Sequence, residues 1–122
     1  MRSETRRDSR LFAETVRTLL RNGFAARFRA NGRSMYPAVR DGDEVQVEPT
    51  VPESGDVVMV ETEEGLRVHR VVGNGTRGDC CFERDSAAEI VGRVSLVNGR
   101  PAARQKMGSK LRRWIARWRG RF

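Results

Sequence analysis

Apolar residues recur at three- and four-residue spacing over residues 10–22, and alternate with polar ones in several stretches between residues 24 and 97. Leu11, Phe12, Val16, Leu19 and Leu20 fall on one stripe, with Arg10, Glu14, Arg17 and Arg21 opposite, which predicts an amphipathic helix. Ser9 can cap its start, and Gly23 can end it in the left-handed conformation. Residues 24–30 set Phe24, Ala26 and Phe28 against Arg27 and Arg29, the period of a half-buried strand. Val45 and Val47 give residues 44–48 the same alternation. Two further strands are expected at 56–61 and 66–72, joined by Thr62-Glu63-Glu64-Gly65, a hairpin connection of ordinary length. Residues 49–55 and 73–78 carry the chemistry of loops and tight turns. The last strand is expected at 89–97, with a turn after it at Asn98-Gly99. Short strands at this spacing predict a mainly β chain with an N-terminal helix.

The end of the chain departs from that pattern. Over residues 107–122, Leu111, Trp114, Ile115, Trp118 and Phe122 recur at helical spacing, with arginines filling most other positions from residue 111 on. This is the pattern of a basic amphipathic helix that binds at a membrane interface, so peripheral membrane contact through Trp114, Ile115 and Trp118 is expected. Charge divides the chain in the same way. The net +8 is made of +5 over residues 1–30, −6 over residues 31–99 and +9 over residues 100–122. An acidic middle between basic ends differs from a uniformly basic nucleic-acid-binding domain, and no nucleic-acid partner is expected. The chain thus divides into an N-terminal helical segment at 1–23, a β domain at 24–99 and a basic amphipathic tail at 100–122. No stretch approaches the roughly 18 uninterrupted apolar residues of a membrane span. The N-terminus lacks the apolar core of a secretory signal. The expected location is the cytoplasm, with the tail placing the chain peripherally on the inner membrane face.

Chemistry concentrates on two residues of the middle segment. Ser34 comes after a turn at Asn31-Gly32-Arg33, and the chain's one histidine, His69, sits in Val68-His69-Arg70-Val71-Val72. A serine hydroxyl becomes nucleophilic only beside a base, most often His or a desolvated Lys. The only lysines, Lys106 and Lys110, lie in the tail, which leaves His69 as the natural base. Strand alternation places Leu66, Val68 and Arg70 on one face and Arg67, His69 and Val71 on the other. Cys80 and Cys81 are adjacent, a poor geometry for a mutual disulfide, and two reduced thiols are expected. With no further Cys and no second His, neither a metal site nor another cofactor is expected.

The blocks around this pair come in a recognisable order: Ser34-Met35-Tyr36-Pro37, Gly42-Asp43, Gly55-Asp56-Val57-Val58-Met59-Val60, His69-Arg70-Val71-Val72, Thr76-Arg77-Gly78-Asp79, Asp85, and Gly92-Arg93-Val94. In this order they resemble the signal peptidase I family of serine proteases. The similarity is greatest to its archaeal and endoplasmic-reticulum branch, where His-Arg-Val stands in place of the bacterial catalytic lysine. The resemblance covers about residues 24–98. It implies the β fold shared by signal peptidases and self-cleaving repressor proteases, and a catalytic domain at 24–99. It further implies a serine endopeptidase with Ser34 as nucleophile, His69 as general base and Asp85 as the acid that orients the histidine.

On the same resemblance, Asp79 shapes the loop or is the alternative acid, and Met35 and Tyr36 line the substrate cleft. The substrate is an extended peptide or preprotein. The Ser34 N–H is one oxyanion donor, with a second from backbone, Asn31 or Arg33. The chain also departs from the family. Cys80-Cys81 stand where asparagine or small residues are common, Arg84 where a second acid often lies, and Gly32 where some relatives carry a hydroxyl. Nor does the sequence contain a membrane-spanning anchor. The competing expectation is a non-catalytic module of the same fold that binds a peptide as an added strand.

Overall fold

The computed structural model describes residues 2–104, with side chains from residue 11 onward. The expected amphipathic helix of the tail, with Trp114, Ile115 and Trp118, lies outside the described residues. Helix α1 spans Arg2–Arg21, and seven strands come after it: β1 (Ala26–Arg29), β2 (Glu44–Glu48), β3 (Val57–Thr62), β4 (Gly65–Val72), β5 (Gly75–Arg77), β6 (Glu89–Val97) and β7 (Arg100–Pro101). All pairings are antiparallel within one sheet of order β1-β2-β6-β3-β4-β5, with β7 paired to β6. The chain is therefore mainly β, with one helix among the described residues.

The helix differs from its sequence expectation in two ways. It begins at Arg2, so Ser9 lies inside it and does not cap its start. Its buried stripe is Ala13, Val16 and Leu20, while Leu11, Phe12 and Leu19 are exposed. The apolar arc in the sequence is wider than the face the sheet can cover. Gly23 ends the helix as expected, at φ +83°, with its own N–H donating to Leu20 O at 3.0 Å and Phe24 N–H to Leu19 O at 3.0 Å. That pair of bonds is the Schellman arrangement, which satisfies carbonyls the last turn leaves free.

Alternation along the strands separates two apolar layers. Val45 and Val47 of β2, Val57 and Met59 of β3 and Val94 of β6 join Val16 and Leu20 of α1 in the main core, with Leu66 and Val68 packed against it. On the other face Val58, Val60 and Val71 form a smaller cluster covered by Ala88 and Ile90. Gly92 allows Leu20 of the helix to approach β6 closely. A Cβ there would stand 2.7 Å from Val47 Cγ1 and 3.0 Å from Leu20 Cδ1. Arg17 ties α1 to the sheet through Glu61 at 2.6 Å and Glu89 at 3.4 Å.

Two short strands stand outside the expected ones, the first in a stretch read as a tight turn and the second at the start of the segment assigned to the tail. Gly75–Arg77 pairs with β4, and Arg100–Pro101 pairs with β6, so sheet pairing continues past residue 99. Among the described residues, no helix is long and apolar enough to cross a membrane.

Candidate functional site

The β3–β4 register pairs Val58 with His69 and Val57 with Arg70, so these two neighbours on β4 project to opposite faces. On one face, His69 Nδ1 and Asp85 Oδ2 lie 2.6 Å apart. The same Asp85 oxygen accepts a hydrogen bond from Thr76 Oγ1 at 2.8 Å, and the Asp85 N–H donates to Thr76 O at 2.8 Å. Thr76 is buried in β5, directly beside Val71 of β4. The irregular segment after β5 thus folds back on that strand, and Thr76 holds both the backbone and the carboxylate of Asp85. His69 is itself buried, at 6% exposure.

On the opposite face, Arg70 makes a bidentate pair with Asp79, Nε to Oδ1 at 2.8 Å and Nη2 to Oδ2 at 2.9 Å. Its remaining Nη1 donates to Gly55 O at 2.8 Å and to Ala103 O at 3.0 Å. A guanidinium this buried is tolerable only when its donors are matched in this way. Arg70 clamps three chain segments, and Asp79 is held away from the imidazole.

Ser34 is brought to this place by the loop between β1 and β2. Gly32 at φ +88° turns the chain, and its N–H donates to Asp41 Oδ1 at 2.8 Å. The Ser34 carbonyl accepts the Cys80 N–H at 2.8 Å. The neighbouring Asp79 N–H points at Met35 Sδ, 3.3 Å away. Continuing the β4–β5 register by one residue sets Gly78 beside His69. A Cβ on Gly78 would meet Ser34 Cβ and Ser34 O, each at 2.8 Å. Only glycine lets the serine turn come this close to the strand flanking the histidine. The Ser34 N–H has no partner among the described residues. No hydrogen bond joins the Ser34 hydroxyl to the His69 ring among them.

A pocket of about 390 Å³ opens beside Ser34. Its apolar walls include Phe12 of α1, Phe28 of β1, Met35, Met59 and Leu66, and Asn31 and Gly32 also line it. Phe12 and Phe28 meet edge to face, with centroids 5.8 Å apart. Met35 lines this pocket, while its side chain is buried in the core. Tyr36 is not among the lining residues. Its ring is exposed with Arg40 5.3 Å from its centroid, and its carbonyl accepts Cys80 Sγ at 3.1 Å. β1 pairs only with β2 among the described residues, leaving a free strand edge beside the pocket.

Sequence reasoning missed Thr76 and Arg70 as site-building residues. The signal for Thr76 was its position two residues before Gly78, in a stretch read as a turn. The signal for Arg70 was a charged residue on the core-facing side of β4. No protein-family model matches the chain, and no curated protein matches it.

Proposed function

We propose that the chain is a serine endopeptidase of signal-peptidase-like type and fold, cleaving an extended peptide or preprotein. The observation that carries this reading is the His69–Asp85 contact at 2.6 Å, made through Nδ1. With Nδ1 engaged by a carboxylate that Thr76 fixes, Nε2 is left as the basic nitrogen. In this mechanism Nε2 takes the proton of Ser34 Oγ as the hydroxyl attacks the scissile carbonyl. Asp85 holds the ring tautomer and offsets the imidazolium charge, remaining ionised throughout. The Ser34 N–H donates to the developing oxyanion. His69 then returns the proton to the leaving amine, and water resolves the acyl-enzyme. The peptide adds to the free edge of β1 and places an apolar side chain in the pocket beside Ser34.

The missing Ser34–His69 hydrogen bond is compatible with this, since catalytic hydrogen bonds often tighten only when substrate is bound. It also favours a second reading, a non-catalytic module of the same fold that holds a peptide on the β1 edge. A serine-reactive acyl probe separates the two. Wild type labelled at Ser34, with folded Ser34→Ala unlabelled, supports the peptidase. Equal labelling of both, or of neither, leaves the binding module.

The proposed location is the cytoplasm or the inner membrane face, with the tail as the peripheral contact. Its support is the Trp114, Ile115 and Trp118 stripe among arginines. Anionic vesicles should co-sediment the full chain, less so as salt rises, and should not co-sediment a chain lacking residues 107–122.

A further inference from the structure

Two exposed, free thiols stand at the turn that holds Ser34. Cys80 grips that turn with both of its donors. Its N–H donates to Ser34 O at 2.8 Å, and its Sγ–H donates to Tyr36 O at 3.1 Å. Cys81 Sγ lies on the same side of Gly78 as Ser34, 2.9 Å from where a Cβ of that glycine would be, and that same point is 2.8 Å from Ser34 Cβ. Neither thiol has a part in the serine mechanism, although the Cys80 contacts fix the carbonyls on both sides of Met35.

We propose that Cys80 is a thiol-modification site for small disulfides, such as an oxidised low-molecular-weight thiol, and that its modification switches off Ser34. The inference rests on the peptidase reading for its activity readout only. In the exchange, the Cys80 thiolate attacks one sulfur of the disulfide R–S–S–R. A Cys80–S–S–R bond forms and the original S–S bond breaks. The other half leaves as R–S⁻ and takes up the proton that Cys80 lost. The Cys80 sulfur is oxidised and one sulfur of the reagent reduced, with no further oxidant required. The product has no S–H to donate to Tyr36 O, and it carries a bulky group at the mouth of the serine turn. Cys81 cannot readily expel that group by forming a disulfide with its neighbour. Adjacent Cα atoms are ~3.8 Å apart, whereas an unstrained disulfide needs about 5.5 Å. The adduct therefore persists until an external thiol removes it, which makes the site reversible by reductant.

The test treats the full chain with oxidised glutathione and maps the adduct by peptide mass spectrometry. Acyl-probe labelling of Ser34 and hydrogen exchange at the Cys80 amide are measured in parallel. The expected result is an adduct on Cys80, faster exchange at its amide, and labelling reduced about tenfold or more, since displacing a reacting group by ~1 Å can lose up to ~10²-fold. Dithiothreitol should restore both. Cys80→Ser keeps a donor for Tyr36 O and should label normally with or without the reagent, whereas Cys81→Ser should remain sensitive. The proposal is overturned if the adduct forms only on Cys81, or if Cys80→Ser is inhibited as strongly as wild type. It is overturned equally if modified Cys80 leaves both amide exchange and labelling unchanged. Should reduced wild type fail to label at all, the peptidase reading falls, and the exchange measurement alone decides the thiol site.

Discussion

Two successive residues of β4 each hold an aspartate from the same irregular segment, and the two pairs are built differently. Arg70 spends four of its five N–H donors on Asp79, Gly55 O and Ala103 O, all on the core-facing side. His69 meets Asp85 through one nitrogen only, and Thr76 completes the carboxylate. A cation engaged on every nitrogen holds segments together. A singly engaged imidazole keeps a nitrogen for proton transfer. The contrast distinguishes a structural clamp from a candidate catalytic pair more clearly than burial does, since both side chains are almost fully enclosed.

The largest effect that would test this contrast is expected from Asp85→Asn. An amide cannot hold the same imidazole tautomer, so peptidase turnover or acyl-probe reaction should fall by about 10³–10⁴ with the fold retained. Arg70→Met should act on stability instead. It leaves Asp79 without its cation, and urea unfolding should show a loss of about 3–5 kcal/mol, the range for breaking a buried pair on one side. Replacing both partners, as Arg70→Met with Asp79→Leu, should recover part of that loss, because no unpaired charge remains. If Arg70→Met abolished turnover in a fully stable protein while Asp85→Asn only lowered stability, the two pairs would have exchanged roles.

Thr76 provides a finer test. Thr76→Val keeps the shape and removes one hydrogen bond to a carboxylate, an interaction worth about 1.5–3 kcal/mol. Activity should fall roughly tenfold or more on that basis, and Thr76→Ser should restore it. A valine variant with wild-type activity would show that Asp85 needs no such support.

The smallest expected effect lies at Asp43, outside both pairs. The Arg40 N–H donating to its carboxylate, and then the Asn98 side chain, hold Asp43 below the ordinary carboxylate range. A lowered folded-state pKa contributes stability above the unfolded value, and that contribution is lost as pH falls through the folded value. The gap in stability between wild type and Asp43→Asn should thus be present at neutral pH and close as the solution is acidified below about pH 4. A gap that widens on acidification would contradict the Arg40 contact as its cause.

Legibility tracked periodicity. Strands 44–48 and 89–97 were readable to the residue: the first alternates apolar and polar positions over its full length, and the second is a run rich in β-branched residues that ends at the Asn98-Gly99 turn. β5 was not, since Gly75-Thr76-Arg77 is too short to show a period and is bracketed by glycines. β7 has two residues, one of them proline, and exists only because β6 is there to pair with it. The width of the helical stripe was legible, but the part of it that is buried was not. Leu11, Phe12 and Leu19 are as apolar as Val16 and Leu20, and only the packing of α1 on the sheet separates them.

For the site, the sequence by itself determined that His69 and Arg70 face opposite ways, because a strand alternates whatever surrounds it. It also determined that Ser34 comes after a glycine turn and that Asp79 and Asp85 lie a few residues past β4. Which aspartate goes to which partner was a matter of tertiary structure. Residues 78–88 have no repeating geometry, so their side chains are aimed by contacts with distant residues: Thr76 for Asp85, Arg70 for Asp79, and Ser34 and Met35 for the backbone between them. Local periodicity sets the direction of a side chain within an element. Only the packing of loops onto that element decides what it meets there.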